Sequence, residues 1–368
     1  MGRKSSKLYI GLDVHKASID VAVAEEGGEV RHHGQIGGDT NALWRAVHKL
    51  ESSGRELVFV YEAGPCGFGI YRGLMSRGHV CWVVAPSNVP RRVRDRVKTD
   101  RRDSMKLAGL ARANELTPIY IPDECDEAMR DLVRSREDAV VMQRQARQRL
   151  TALLLRNDVR YAGKTAWTAA HRRWIADVRV AQQAQRLAFE EYVQAVEEAT
   201  VRVARLTRYL EQEVLHWRWR PVVTALQACR GIDLIHAVRI VAEVGDLSRF
   251  SHPRQLMSYL GLIPSENSSG ERRRQGSITK AGNSSARRAL VEAAWAYRYM
   301  AKVSGLIARR QVKVPKAALD IAWKAQVRLC ARFRRLTARG ISRNKIVVAI
   351  ARELAGFVWA IGQQVKPV

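Results

Sequence analysis

Near the start of the chain, apolar and polar residues alternate in three short runs, "LYIGLDVH", "ASIDVAVA" and "EVRHHGQI". A period of two marks strands with one buried face, and the "EEGG" between the second and third runs is turn-forming, so three successive strands are predicted over residues 7–35. The pattern then lengthens into an amphipathic helix over roughly Asn41 to Ser52. "ELVFVYEAG" is a continuous apolar run bounded by glycine and fits a buried strand. "GFGIYRGLMSRG" reads as a short helix ending at Gly78, and "HVCWVVAP" as another buried strand stopped by Pro86. Three meandering strands followed by helix, strand, helix, strand predict an α/β fold with one mixed sheet.

From Asp123 to about Trp219 the texture changes to charged, helix-favouring sequence almost without Gly or Pro. Tyr192, Val196, Ala199, Val203, Leu206 and Leu210 alternate spacings of four and three, the a/d seam of a coiled coil. Two long antiparallel helices broken near "NDVRYAGKT" are expected, serving either as a dimerisation arm or as an intrachain hairpin. The last third opens at Pro221. Its "LQACRGIDLIHAVRIVAEV" predicts two short helices around a turn at Gly231, like a helix-hairpin-helix whose second helix offers its N-terminus to a phosphate. The usual second glycine of such a hairpin is Asp233.

Charge narrows the function. The 368 residues hold 63 Lys+Arg against 36 Asp+Glu, a formal charge of +27, so the chain seeks a polyanion. At 46% hydrophobic residues it can also bury real cores, which excludes a disordered basic tail. Residues 301–345 alone carry thirteen Lys/Arg against one acid, Asp320. The five cysteines are scattered, with no C-x-x-C pair, and read as reduced thiols. No uninterrupted apolar run reaches the length of a bilayer span, and "MGRKSSKLYIGLDV" shows neither an apolar h-region nor a small-residue cleavage site. A cytoplasmic protein of the bacterial nucleoid, without a membrane partner, is expected.

Within this basic chain stand acids whose placement calls for a reason. Asp13 lies in the first strand, Glu62 ends "LVFVYE", and Asp100 and Asp103 open the helix "RRDSMKLAGLAR", where residues three apart share one face. Each alone reads as a cap or a salt-bridge partner. Together, on two strands and a helix start, they offer hard oxygen ligands for Mg²⁺ (or Mn²⁺), and paired ions of this kind clamp the attacking and leaving oxygens of phosphoryl transfer. Arg91, Arg92, Arg94, Arg96, Lys98, Arg101 and Arg102 surround the last two acids and would hold a nucleic-acid backbone.

"YIGLDVHK", "YEAGPCGFGIYR" and "KTDRRDSMKLA" resemble the DEDD motifs of bacterial insertion-sequence transposases, which join a RuvC-like, RNase H-type domain to a C-terminal transposase domain. Piv-type DNA invertases belong to the same group. "GLIPSENSSG" and "GSITKAGNSSARRALVEAAW" resemble that family's second block. The resemblance implies a catalytic RuvC-like domain over 1–122, a helical coiled-coil arm over 123–220 and a mainly α transposase domain over 221–368. It puts the four metal-holding acids on Asp13, Glu62, Asp100 and Asp103. The family's serine falls on Ser269, with Ser268 adjacent and Ser265 close by. Arg272, Arg273, Arg274, Lys280, Arg287 and Arg288 follow as nucleic-acid contacts. Further implied are donor and target DNA, guidance by a structured noncoding bridge RNA, and dimers pairing into tetramers, with the RuvC-like site of one subunit approaching the serine of another.

Other classes fit less of the chain. A sugar-kinase-like ATPase needs small residues after its first Asp, whereas Val14, His15 and Lys16 follow Asp13. A RuvC-like structure-specific nuclease, or an invertase without an RNA guide, would use the same four acids; the nuclease would not need the serine block. A non-catalytic nucleic-acid binder would leave four converging acids as an electrostatic cost without a use.

Overall fold

The alternating runs form β1 (Lys7–Val14), β2 (Ser18–Glu25) and β3 (Val30–Gly37) in a computed structural model that describes residues 7–90, 99–266 and 274–368. α1 (Thr40–Glu51), β4 (Glu56–Glu62), α2 (Gly69–Ser76), β5 (Val80–Val84) and α3 (Asp100–Arg112) follow in the predicted order. The strands lie β3-β2-β1-β4-β5; the meander is antiparallel, and β4 and β5 join it in parallel. This is a mixed five-stranded, RNase H-like sheet.

The central strand β1 is covered on both faces. Leu8, Ile10 and Leu12 pack with Leu43, Val47 and Leu50 of α1 and Leu74 of α2, each burial worth about 1.5–3 kcal/mol. On the opposite face lies α3, whose Leu107 and Ala111 pack with Val60 and Val84, and whose Ala108 packs with Ala22 and Ala24. The unbroken apolar run of β4 has the same cause, since both faces of a central parallel strand are buried.

The chain forms two compact units, Met1–Ile121 and Pro122–Val368. The second is mainly helical: α4 (Glu124–Arg156), α5 (Ala169–Asp177), α6 (Gln183–Glu213), α7 (Arg220–Leu226), α8 (Leu234–Val244), α9 (Pro253–Tyr259), the strands β6 (Pro264–Glu266) and β7 (Gln275–Ile278), then α10 (Ser284–Ala294), α11 (Gly305–Gln311), α12 (Lys316–Ala338) and α13 (Arg343–Gln364). α4 and α6 run antiparallel, because hydrogen bonds join Arg136 to Thr207, Gln143 to Thr200 and Asn157 to Gln185, each step up one helix matching a step down the other. The expected break is longer than "NDVRYAGKT" and contains α5. There the rings of Tyr161, Trp167 and Trp174 surround His171 at 4.6–5.4 Å.

At the start of α4 the buried Asp126 accepts hydrogen bonds from the indoles of Trp217 and Trp219, at 2.8 and 3.0 Å, and from Arg218. α13 has the length and hydropathy of a membrane span, but Ile346, Val347, Ile350, Leu354, Val358 and Ile361 are buried in the core of this unit and Arg352 and Glu353 interrupt it.

The predicted helix pair is present as α7 and α8. Gly231 turns between them at φ +82°, and a Cβ there would stand 2.2 Å from the Ala293 carbonyl oxygen, so no other residue fits. The N-terminus of α8 differs from expectation. The Asp233 carboxylate caps it, accepting the His236 amide at 2.9 Å, and so fills the place foreseen for a phosphate.

Candidate active site

Alternation along β1 puts Tyr9, Gly11 and Asp13 on the face that α3 covers. α3 comes so close that a Cβ on Gly11 would lie 2.1 Å from the Ser104 carbonyl oxygen and 2.6 Å from the Ala108 amide nitrogen. Only glycine permits that approach. One helical turn before Ser104 stands Asp100, and two residues beyond Gly11 stands Asp13, so the same seat brings the start of the helix to the end of the strand.

There three side chains meet. His15 Nε2 lies 3.2 Å from Asp13 Oδ2 and 3.5 Å from Asp100 Oδ1, and the three donor atoms lie within 4.8 Å of one another. The tight turn after β1 positions the histidine, its amide donating to the Ser18 carbonyl at 2.9 Å. Asp100 and Asp103 occupy the first turn of α3, where Thr99 caps the helix and the helix dipole favours negative charge. Glu62 closes β4. β1 and β4 pair in parallel up to Leu12 and Tyr61, the residues just before Asp13 and Glu62. The turn after Glu62 folds back, with the Tyr61 hydroxyl donating to the Gly67 carbonyl at 3.1 Å.

Burial pushes the Asp13 carboxyl above the usual carboxylate range; Asp100 and Asp103 push it further, and attraction and a hydrogen bond from His15 oppose them. A half-buried carboxylate among other acids is stabilised by a cation. Asp13 and Asp100 supply the hard oxygens that Mg²⁺ prefers, and a DEDD set of this kind implies a divalent metal. The donor chemistry therefore fits the group.

A further acid belongs to this neighbourhood. Asp20 pairs with Asp13 in the β1–β2 register, is buried, and is held by His32 at 2.8 Å and Gln35 at 2.9 Å. Sequence reasoning passed over Asp20, Gly11 and His15. A glycine inside a strand was the available signal, since it marks a bulge or a close backbone approach. For the histidine, a place just past the strand's last residue gave none.

Of the predicted cations, Arg101 and Arg102 are exposed on the first turn of α3, and Arg274 and Lys280 are exposed around β7. Arg287 is turned inward, donating to the Leu260 and Ala281 carbonyls at 2.9 Å each, and Arg288 is paired with Glu137 at 2.9 Å. Arg91, Arg92, Arg94, Arg96 and Lys98 lie outside the described residues, as do Ser268, Ser269, Arg272 and Arg273. The segment holding the serine joins β6 to β7, two short strands not foreseen, with Ser265 Oγ donating to the Ser277 carbonyl at 3.0 Å.

An RNase H-like sheet with acids gathered at the end of its central strand defines a metal-dependent enzyme acting on nucleic-acid strands. Residues 10–157 match the DEDD transposase model of IS110 elements, and residues 223–307 match the model described as transposase IS116/IS110/IS902 family. The chain is 45% identical over 360 residues to the putative transposase y4qE of Sinorhizobium fredii, spanning 97% of this chain and 89% of that protein. It is 30% identical over 338 residues to the transposase for insertion sequence element IS1533 of Leptospira borgpetersenii, spanning 90% and 96%. The chain belongs to the IS116/IS110/IS902 transposase family. It is thus an enzyme of DNA strand cleavage and transfer, and it binds DNA.

Proposed function

We propose that the chain is the recombinase of an insertion sequence in which Asp13, Glu62, Asp100 and Asp103 hold Mg²⁺ or Mn²⁺ in a RuvC-like domain and Ser269 is the nucleophile. The observation that carries the reading is the meeting of strand and helix at Asp13, His15 and Asp100, with donor atoms within 4.8 Å. Bound there, a divalent ion offsets charge on the phosphate oxygens of the strand being cut. The chain's own residues set that place: Asp13 and Glu62 follow the last paired residues of β1 and β4, and the seat at Gly11 fixes the start of α3, which carries Asp100 and Asp103. Ser269 Oγ bonds to phosphorus as the bond to the neighbouring nucleotide breaks, its proton passing to the departing oxygen, and the strand end is left esterified to the protein.

Arg101, Arg102, Arg274 and Lys280 are exposed and carry the charge to hold backbone phosphates. The antiparallel α4–α6 pair is the coiled-coil arm, and α7–α8 the helix-hairpin-helix-like element of the transposase domain. A structured bridge RNA pairing with donor and target DNA guides the reaction, carried out by dimers paired into tetramers in the bacterial cytoplasm.

Denaturing gels of reactions with labelled donor DNA test the reading. The parent protein should give a covalent protein-DNA adduct, lost in Ser269→Ala and retained in Ser268→Ala. Asp13→Asn and metal chelation should each abolish cleavage while DNA binding persists. Full cleavage by Asp13→Asn would refute the metal site; an adduct surviving in Ser269→Ala would refute the nucleophile.

A further inference from the structure

Three arginines and three aromatic rings line one cavity of the second unit. Its volume is about 610 Å³, and Trp295, Tyr299, Phe333, Arg298, Arg334 and Arg343 contribute to its wall. Trp295 and Arg298 come from the 3₁₀ turn that continues α10, Phe333 and Arg334 from α12, and Arg343 from the first position of α13. Residues far apart in sequence thus build a single mixed surface, apolar in its rings and cationic at its edge.

The charge of this wall is not offset by acids. Among the described residues no carboxylate lines the cavity, and none of Arg298, Arg334 and Arg343 has an acidic partner. On the same α12, by contrast, Arg328 and Arg332 are both tied to Glu353, at 2.9 and 2.6 Å. Three cations held together without a counter-ion repel one another, and a bound anion relieves that. α13 adds to the effect. Ser342 stands at its N-cap without closing a side-chain hydrogen bond to the first amides, which leaves the positive end of a 22-residue helix facing this side.

The rings identify the other half of the ligand. Tyr299 is 54% exposed, and its ring is kept in place by Arg298, whose guanidinium lies 4.7 Å from the ring centroid and donates to the hydroxyl, with the Arg230 guanidinium 5.8 Å from the same centroid. Trp295 is half-buried and Phe333 is buried. An aromatic platform presented to solvent beside unpaired arginines is the arrangement that receives a splayed base with its phosphate. A duplex cannot use it, because paired bases keep their faces stacked on one another.

We propose that this cavity binds one unpaired nucleotide of a nucleic-acid strand, the base on Tyr299 and Trp295 and the phosphate between Arg334, Arg343 and the start of α13. The proposal rests on the family's handling of nucleic acid and not on the acids or serine of the proposed chemistry, so either can fail while the other stands. The strand is DNA or RNA, which share this chemistry.

The test uses the full chain and labelled 12-nucleotide probes, dT12, U12 and a duplex of equal length, with binding read by anisotropy and folding by circular dichroism. Tyr299→Ala should weaken single-strand binding about 5- to 150-fold, the weight of one stacked base, and leave duplex binding unchanged. Joint replacement Arg334→Ala and Arg343→Ala should reduce the single-strand salt slope by about 1.4. Tighter binding of U12 would assign the nucleotide to RNA, tighter binding of dT12 to DNA. 5-Iodouracil placed in the single strand should photocrosslink to the peptide holding Trp295 and Tyr299. Equal losses on single strand and duplex, or unchanged single-strand binding in both variants, would overturn the proposal.

Discussion

Gly11→Ala is the sharpest probe of how the fold makes the site. The added Cβ would stand 2.1 Å from Ser104 O and 2.6 Å from Ala108 N, where ordinary contact starts at 3.4 Å. Both are backbone atoms of α3, so no side chain can rotate aside, and the helix must retreat by about 1.3 Å or the strand must bend by as much. Overpacking of this kind costs about 1–3 kcal/mol in stability. The effect on chemistry should be larger than that on folding, because α3 carries Asp100 and Asp103 on its first turn. Misplacing a reacting group by ~1 Å costs on the order of 10²-fold in rate. Single-turnover cleavage of donor DNA at saturating Mg²⁺, measured beside thermal melting, separates the two effects. Gly109→Ala is the control, since its Cβ would meet only the Val30 side chain at 3.5 Å, and alanine in a helix interior gains up to about 1 kcal/mol. Cleavage by Gly11→Ala at the parent rate, with the variant folded, would refute the claim that this glycine sets the position of the acids.

Two further outcomes are expected of the second unit. Asp126→Ala removes the acceptor of two indole N–H groups and the partner of Arg218, and should cost about 3–5 kcal/mol in urea denaturation, against far less for replacing the exposed Asp158. His236 supplies a pH dependence: burial alone would lower its pKa, but hydrogen bonds to Asp233 and Glu292 outweigh burial and push it up to about 9. Its contribution is then complete below the unfolded value of about 6.5 and is lost as pH rises through about 9. His236→Gln should narrow the stability difference between pH 6 and pH 10 by at most ~3 kcal/mol, and by less after solvent screening.

Much of the fold was legible because burial repeats at a fixed period. β3 alternates strictly between half-buried and exposed positions, and the apolar run of β4 matches its burial on both faces. The a/d seam of α6 likewise falls on its more buried side, Val196 and Leu210 being buried where Glu197, Glu198 and Arg208 are exposed. What escaped was structure made by distant contacts. α5 has no clear apolar period and is held by rings from outside it, Tyr161 and Trp167, closing on His171. β6 and β7 are three and four residues long and rich in Ser, Gly and Gln, and their pairing joins residues up to fourteen apart, Pro264 and Ile278. No propensity marks such strands.

The site divides along the same line. Asp13 and Glu62 stand near the ends of two apolar strands that pair in register, and strand pairing follows from alternation that a reader can count. Asp100 and Asp103 reach that place through the approach of a helix, which depends on the absence of one side chain at Gly11. A motif names all four acids alike, yet the two pairs answer to different physics. Polar substitutions in the exposed part of α3 leave the seat untouched, while a single methyl group on β1 moves the whole helix. His15 shows the limit of reading by residue type: it joins the acids only because the turn to Ser18 bends the chain back after Val14, and that bend is fixed by the pairing of β1 with β2.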